Sequence, residues 1–392
     1  MDKIDELLTR RVDKIYPSKE ALEKVLRSGK KLRLYLGIDP TATSLHLGHT
    51  VPLRTIQAFA DLDHDVILLF GTGTVLVGDP SQREKGRKLI TEKEINKNIK
   101  TWKEQVKPII NFNKIKIKYN GDWLAKLRLK DIVKIGSKIS SVKLFKRDNF
   151  ARRIKAGDTV WWHETMYPIL QGYDSVIMNV DLEVGGTDQT FNMLIGRELQ
   201  RKINKKEKFV LTNKMIVGTD GKKISKTSRN CIWLTDTPKD MFGKIMSITD
   251  DLIGDYFEFF TDMPMEKVDI IRKKVKGSKC NPMNYKKQLA KEITKQFHGK
   301  EKADQAQKEF EKVFQSRKMP EKIRKVKTKL GKRNLTNLLV ELKLAVSKSD
   351  AKRLIKQGAL KINNLTMKQF NNVAINPGNI IRVGKRKWVK IR

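Results

Sequence analysis

Between residues 32 and 217 the chain alternates short apolar runs of strand length with longer stretches of helical period, and that alternation admits few folds. Residues 32–38 (LRLYLGI), 65–70, 115–119, 176–184 and 209–217 read as strands. Residues 92–110 and 188–201 read as helices, and a further helix is expected to begin near His46. Strands joined through helices form crossover units, so the expectation is an α/β fold built on a mostly parallel sheet. In such sheets ligands sit beyond the carboxyl ends of the strands. The polar clusters of this sequence fall there.

After about residue 231 strand signals stop. Helical spacing takes over to residue 316, with Ile248, Leu252, Tyr256 and Phe259 on one face. A basic stretch around Pro320 reads as a linker over 317–334. From residue 335 a third unit is expected, with helices at 335–342 and 348–357 and strands at 360–362 and 380–383. The expected division is therefore 1–230, an α-helical 231–316, a linker 317–334 and a small α+β domain over 335–392, which suits a 392-residue chain.

Charge narrows the partner. Lys plus Arg number 83 against 44 acids, a formal net charge of +39. Such an excess suits a polyanion whose phosphates release counterions when bound, although a biased composition produces solvated lysines too. Residues 331–392 hold 15 Lys or Arg and two acids. No run approaches the roughly 18 apolar residues of a membrane span, and the N-terminal residues lack a signal-peptide core, so a soluble, cytoplasmic protein without a membrane partner is expected. Cys231 and Cys280 form no CxxC pair and read as inert thiols, and no metal-ligand set is apparent.

Two constellations carry chemistry. In YLGIDPT, residues 35–41, followed by His46, Leu47, Gly48 and His49, a strand breaks at Pro40 and delivers two imidazoles to a helix N-terminus. Imidazole donors, free backbone N–H groups and the positive dipole end together suit a triphosphate. Gly48 leaves room for a flat ligand against the backbone. The second is Gly221-Lys222-Lys223-Ile224-Ser225-Lys226-Thr227, where lysines three apart on a glycine-initiated loop reach one pyrophosphate. Alone, each has an ordinary reading, a chance histidine pair and a solvated basic loop. Their order and their separation of about 175 residues favour the functional one.

HLGH and KISKT resemble the two signatures of class I aminoacyl-tRNA synthetases. YLGIDPTATSLHLGH, GDPS at 78–81, YPILQGYDS at 167–175 and GGTDQ at 185–189 resemble bacterial-type tyrosyl-tRNA synthetases, and SKSDAKRLIKQGALKINN at 347–364 resembles the S4 RNA-binding fold. The likeness spans nearly the whole chain. It implies a Rossmann-like catalytic domain with a dimerisation insertion, an anticodon-binding helical domain and an S4-like domain.

The resemblance also implies roles. Tyrosine is activated with ATP, accompanied by Mg²⁺, and passed to the 3′ end of tRNA(Tyr), with no tightly bound cofactor. Phosphate donors are His46, His49, Lys223, Lys226 and Thr227. Tyr35 and Asp174 hold the phenol, while Tyr167, Gln171, Asp79 and Gln189 surround the ammonium and carboxylate. Gly37, Asp39, Thr41, Gly48, Gly186 and Asp188 hold the adenylate, with Arg83 and Arg87 as pyrophosphate partners. Lys348, Lys352, Arg353 and Lys356 share a helical face toward RNA. The aromatic-rich stretch 158–172, with Trp161 and Trp162, lies where the family forms its homodimer.

Departures are Pro52, where many members carry a small polar residue, and Glu183, where one branch has glutamine. Against a tryptophanyl enzyme stands the Tyr35 and Asp174 pair. A non-catalytic RNA-binding paralogue has no use for both signatures. A pantetheine-type nucleotidyltransferase lacks the helical and S4-like units.

Overall fold

The computed structural model describes residues 2–80, 90–224, 230–277, 281–312, 323–363, 365–367, 369, 372–384 and 387–392. It contains two compact units, Met1–Asp304 and Gln305–Arg392. The helical segment after residue 231 belongs to the first of these.

The first unit is organised by a six-stranded sheet of β1 (Val12–Tyr16), β2 (Arg33–Ile38), β3 (Asp65–Phe70), β4 (Ile115–Tyr119), β5 (Leu182–Gly186) and β6 (Phe209–Asn213), in the order β1-β6-β5-β2-β3-β4. β2 to β6 run parallel and β1 is antiparallel to β6. Strand order reverses at β2, between β3 and β5, and that crevice is where open α/β sheets bind ligands. Burial on both faces explains the unbroken apolar run of β3, where Val66 to Phe70 are all buried.

The strand expected over 176–184 is corrected. A helix, Trp162–Met178, runs through its first part, and the strand is confined to Leu182–Gly186. Asp174, Ser175, Val176 and Met178 are buried on that helix, so tertiary packing overrides local β-propensity. Asn179, in a left-handed conformation with φ 48°, ends it. The strand expected to reach 217 stops at Asn213. The helix at 92–110 is Glu92–Val106, opened by a capping box in which Thr91 and Glu94 satisfy each other's backbone N–H groups. That at 188–201 is Thr190–Asn204, after a 3₁₀ turn over Thr187–Gln189. β1 carries little alternation and escaped sequence reasoning.

Helices Pro238–Ile245, Ile253–Phe260, Met265–Lys276 and Pro282–His298 pack around Phe242, Phe257, Phe260, Leu289 and Ile293, with Lys300–Phe310 following. Three buried arginines join this bundle to the sheet region. Arg10, Arg11 and Arg54 donate to the carbonyls of Glu258, Phe259, Phe260 and Thr261, the negative end of Ile253–Phe260. Arg54 lies on the helix Thr50–Asp61, which continues from the HLGH turn.

The second unit has strands β7 (Arg324–Val326), β8 (Gly331–Asn334), β9 (Leu360–Ile362), β10 (Leu365–Met367), β11 (Asn372–Ile375), β12 (Ile380–Val383) and β13 (Lys387–Ile391). Five form a sheet in the order β10-β9-β12-β13-β7, and β8 pairs with β11. Helices Leu335–Glu341 and Lys348–Lys356 bury Leu335, Leu338, Leu339 and Ile355 against Leu360, Ile381 and Val389. Residues 324–326 and 331–334, read from sequence as linker, are strands of this unit. Too short and too basic to show a period, they gain their order from β13 and β11.

Candidate active site

β2 ends at Ile38, and Asp39 follows at the carboxyl edge of the sheet. Its Oδ1 accepts from Thr74 Oγ1 at 2.8 Å and its Oδ2 from the Tyr167 hydroxyl at 2.9 Å. Gly71, just after β3, makes this approach possible, because any side chain there would overlap Asp39 Oδ1. Burial first, and then the Asp39 charge, push the Tyr167 phenol well above its ordinary range, so it stays a neutral donor.

From Thr74 the polar chain continues. Asn120, just past β4, donates to Thr74 Oγ1 and to Asp174 Oδ2, each at 3.0 Å, and accepts from Gly73 N at 2.7 Å. Trp123 Nε1 donates to Asp174 Oδ1 at 2.8 Å. Asp174 is fully enclosed, and burial raises its carboxyl to about 8 although both hydrogen bonds oppose the rise. Beside it the fully buried Tyr35 hydroxyl lies 3.0 Å from Ser175 Oγ.

A second cluster surrounds Asp79. Gln189 Nε2 donates to Asp79 at 2.8 Å and to Asp188 at 3.2 Å, while Asn192 holds Gln189 Oε1 at 2.8 Å. Arg147 lies 3.6 Å from Asp79, packed between the rings of Phe150 and Phe191. Neither of its Nη atoms has a hydrogen-bond partner among the described residues. Asn149 donates to the carbonyl of Pro80, so the start of the helix Asp148–Lys155 grips the turn that carries Asp79.

The two signature segments also meet. His46 precedes a single 3₁₀ turn, Leu47–His49, and the helix Thr50–Asp61 follows. The His46 and His49 ring centroids are 3.8 Å apart, and His46 N donates to His49 Nδ1 at 3.0 Å. Leu47 N donates to Ile232 O and Leu234 N to Leu45 O, which ties this turn to the chain just beyond KISKT. A Cβ added to Gly48 would stand 3.0 Å from the His46 ring and 3.3 Å from Ile224 Cδ1. Ile224 of the second signature therefore packs directly on Gly48 of the first. Lys223 lies beside it on a hairpin that turns at Gly221, φ 76°.

Asp39, Asp79, Tyr167, Asp174, Asp188 and Gln189 thus gather near the carboxyl ends of β2, β3 and β5, with Tyr35 three residues back on β2 and Gly37, Thr41 and Gly186 in the adjoining backbone. Gln171 reaches the same region through Glu183, at 3.3 Å. Lys226, Thr227, Arg83 and Arg87 lie outside the described residues. In the second unit Lys348, Lys352, Arg353 and Lys356 line one shallow groove with Asn334, Thr336, Asn337 and Gln357. Arg353 is also held by Asp350 at 2.7 Å.

Sequence reasoning missed Asn120, Trp123, Arg147, Ser175 and Lys208. Asn120 was findable from its position one residue beyond a parallel strand, and Ser175 as the neighbour of Asp174. Arg147 and Lys208 had no signal in a chain this rich in cations.

Residues 27–315 match the family described as tRNA synthetases class I (W and Y). The chain is 40% identical over 388 residues to the tyrosine–tRNA ligase of Thermotoga maritima, covering 98% of this chain and 96% of that one. It is 41% identical over 385 residues to tyrosine–tRNA ligase 2 of Vibrio cholerae, covering 98% and 97%. Among solved structures, a C-terminally truncated mitochondrial tyrosyl-tRNA synthetase of Aspergillus nidulans superposes with TM-score 0.69 at 22% identity, over 80% of this chain and 95% of that one. The tyrosyl-tRNA synthetase of Archaeoglobus fulgidus complexed with L-tyrosine gives 0.62 at 20%, over 78% and 98%. These two share the fold.

Proposed function

Because the chain belongs to the class I tRNA synthetases for tryptophan and tyrosine, and within them to the bacterial tyrosine–tRNA ligases, it activates tyrosine with ATP and esterifies it to tRNA; we propose how its own residues divide that work. The tyrosine carboxylate attacks the α-phosphorus of ATP in line, the bond to the β-phosphate oxygen breaks, and pyrophosphate leaves. A terminal ribose hydroxyl of tRNA then attacks the adenylate carbonyl and releases AMP. No protein nucleophile is needed, so catalysis rests on positioning and on charge stabilisation at the phosphates.

His46, His49 and Lys223 supply donors to the phosphates, and Lys226, Thr227, Arg83 and Arg87 join them on the strength of the sequence. Mg²⁺ enters as part of the nucleotide substrate. Gly37, Asp39, Thr41, Gly48, Gly186 and Asp188 cradle the adenylate. Asp79, Tyr167, Gln171 and Gln189 receive the amino-acid head group, and Tyr35 with Asp174 receives the phenol. Buried partners left unsatisfied without that hydroxyl are what reject phenylalanine, an effect for which this family is itself the reference case. The observation that carries the reading is the packing of Ile224 on Gly48, which joins two signatures about 175 residues apart.

We assign activation to residues 1–230, anticodon recognition to the helices within 231–316, and further RNA contact to the groove holding Lys348, Lys352, Arg353 and Lys356. Exposed Trp161, Trp162, Leu129, Val133, Val142 and Phe145 support a homodimer, since monomers rarely leave so many large apolar groups in water. The cytoplasm is the compartment this activity implies. Among the described residues no helix is long and apolar enough to cross a membrane.

Tyrosine-dependent ATP–pyrophosphate exchange tests the assignment. Lys223→Ala lowers kcat with little change in the KM for tyrosine, and sedimentation velocity gives a dimer. Equal exchange with tryptophan, or none with tyrosine, overturns the reading.

A further inference from the structure

Lys208 precedes β6 in a run, Lys205-Lys206-Glu207-Lys208, that reads as surface. Its side chain is instead 0% exposed. It is paired with Glu183 on β5, itself buried. Lys208 Nζ also donates to Ser175 Oγ at 2.7 Å, and Ser175 Oγ lies 3.0 Å from the Tyr35 hydroxyl and 3.4 Å from Glu183 Oε2. The second oxygen of Glu183 accepts from Gln171 Nε2 at 3.3 Å. One buried carboxylate thus holds Gln171 directly and is linked to Tyr35 through one hydroxyl.

Room for this arrangement comes from glycine. A Cβ on Gly196 would stand 2.8 Å from Lys208 Nζ and 3.1 Å from Ser175 Oγ, and Gly172 opposes Gly196 where the two long helices cross. An apolar pair of the same volume would secure this core at least as well, because desolvating two charges offsets much of their attraction. What the ion pair adds is direction. An ammonium only donates and a carboxylate only accepts, so the serine oxygen between them has a lone pair occupied and its hydrogen committed to Glu183 or to Tyr35. Burial pulls the Lys208 pKa down and Glu183 opposes the fall.

We propose that Lys208, Glu183 and Ser175 form a buried positioning relay that fixes the Tyr35 hydroxyl and the Gln171 amide, so that discrimination against phenylalanine depends on an ion pair that does not touch the substrate. The proposal rests on the reading of Tyr35 and Asp174 as the phenol site. Lys208, Glu183 and Ser175 are positioning residues, and their effect passes through Tyr35 and Gln171.

The test measures ATP–pyrophosphate exchange by the full chain with tyrosine and with phenylalanine. Ser175→Ala, which removes one hydroxyl and leaves both charges, raises the KM for tyrosine. It lowers the tyrosine-to-phenylalanine ratio of kcat/KM roughly tenfold, with the KM for ATP and the phenylalanine rate unchanged. In a Tyr35→Phe background the same change has no further effect on that ratio. An unchanged ratio in Ser175→Ala, when Tyr35→Phe lowers it, overturns the relay alone. An unchanged ratio in Tyr35→Phe overturns the phenol reading beneath it. Lys208→Met is expected to unfold at lower temperature, because it leaves Glu183 buried and unpaired. The double variant Lys208→Met/Glu183→Gln recovers melting temperature without recovering the ratio, and recovery of both together overturns the proposal in favour of a purely structural pair.

Discussion

Trp123 donates its indole N–H to Asp174 across 2.8 Å, at a carboxylate that burial raises to about 8 from an ordinary 3.8. A carboxyl with a raised folded-state pKa binds a proton that the unfolded chain has released. Its contribution to stability is therefore complete below 3.8 and is lost as pH rises toward 8. Asp174→Asn has no such proton. The melting temperature of Asp174→Asn relative to the parent should climb between about pH 5 and pH 8 and level off above, as measured by calorimetry at fixed ionic strength. A constant difference across that range contradicts a proton held at Asp174.

Gly71→Ala drives a methyl group into Asp39 Oδ1, the atom that accepts from Thr74. Asp39 must swing away, which also strains its hydrogen bond from Tyr167. Overpacking of this kind costs about 1–3 kcal/mol. The expected outcome is a lower melting temperature together with a raised KM for ATP in the exchange assay. The same change at Gly136, where an added Cβ meets nothing within 4 Å, serves as the control.

Much of the fold is legible in the sequence. Five strands of the first sheet, the crevice at its carboxyl edge and both signature segments follow from period and punctuation: central β3 is a continuous apolar run because it is buried on both faces, while edge strand β4 alternates. What escaped was set by tertiary context. Val176 has a strand-former's shape yet packs within a helix. β7 and β8 have no pattern of their own and exist through their partners. At the candidate site, Asp39, Asp79, Tyr167 and Asp174 were named from sequence, but the groups that hydrogen-bond or pair with them, Thr74, Asn120, Trp123 and Arg147, were invisible. Lys208 and Arg147 are two cations among 83, and only their enclosure separates them from solvated ones.

Arg147 is almost wholly enclosed between two aromatic rings, and its charged partner is Asp79 at 3.6 Å. Arg147→Met keeps the apolar bulk and removes the guanidinium beside Asp79. Asp79 is only part-buried, so the change removes one charged interaction from it rather than orphaning it. The KM for tyrosine is expected to rise by roughly tenfold or more, with the KM for ATP nearly constant. Arg147→Lys should not rescue it, because a compact ammonium lacks the planar faces that meet Phe150 and Phe191. Full rescue by lysine would show that charge alone matters at this position.

Division of labour between the two compact units is testable by truncation, and the strand pairing dictates where to cut. β7 runs parallel to β13, with Arg324 opposite Val389 and Val326 opposite Ile391. A cut at residue 331 would leave β7 behind as an edge without its partner, a site prone to association. A chain ending at Lys312 removes all seven strands of the second unit and the two helices packed on them. It should keep tyrosine-dependent pyrophosphate exchange within about twofold while losing most tRNA charging, since the sheet-borne site lies entirely within Met1–Asp304. In the intact chain, Lys352→Ala and Lys356→Ala each remove one exposed cation from the groove they line with Lys348. Each should weaken tRNA binding uniformly and lower the slope of log affinity against log salt by about one unit or less. Parallel loss of exchange and charging in the truncated chain would instead mean that the second unit supports the activation site itself.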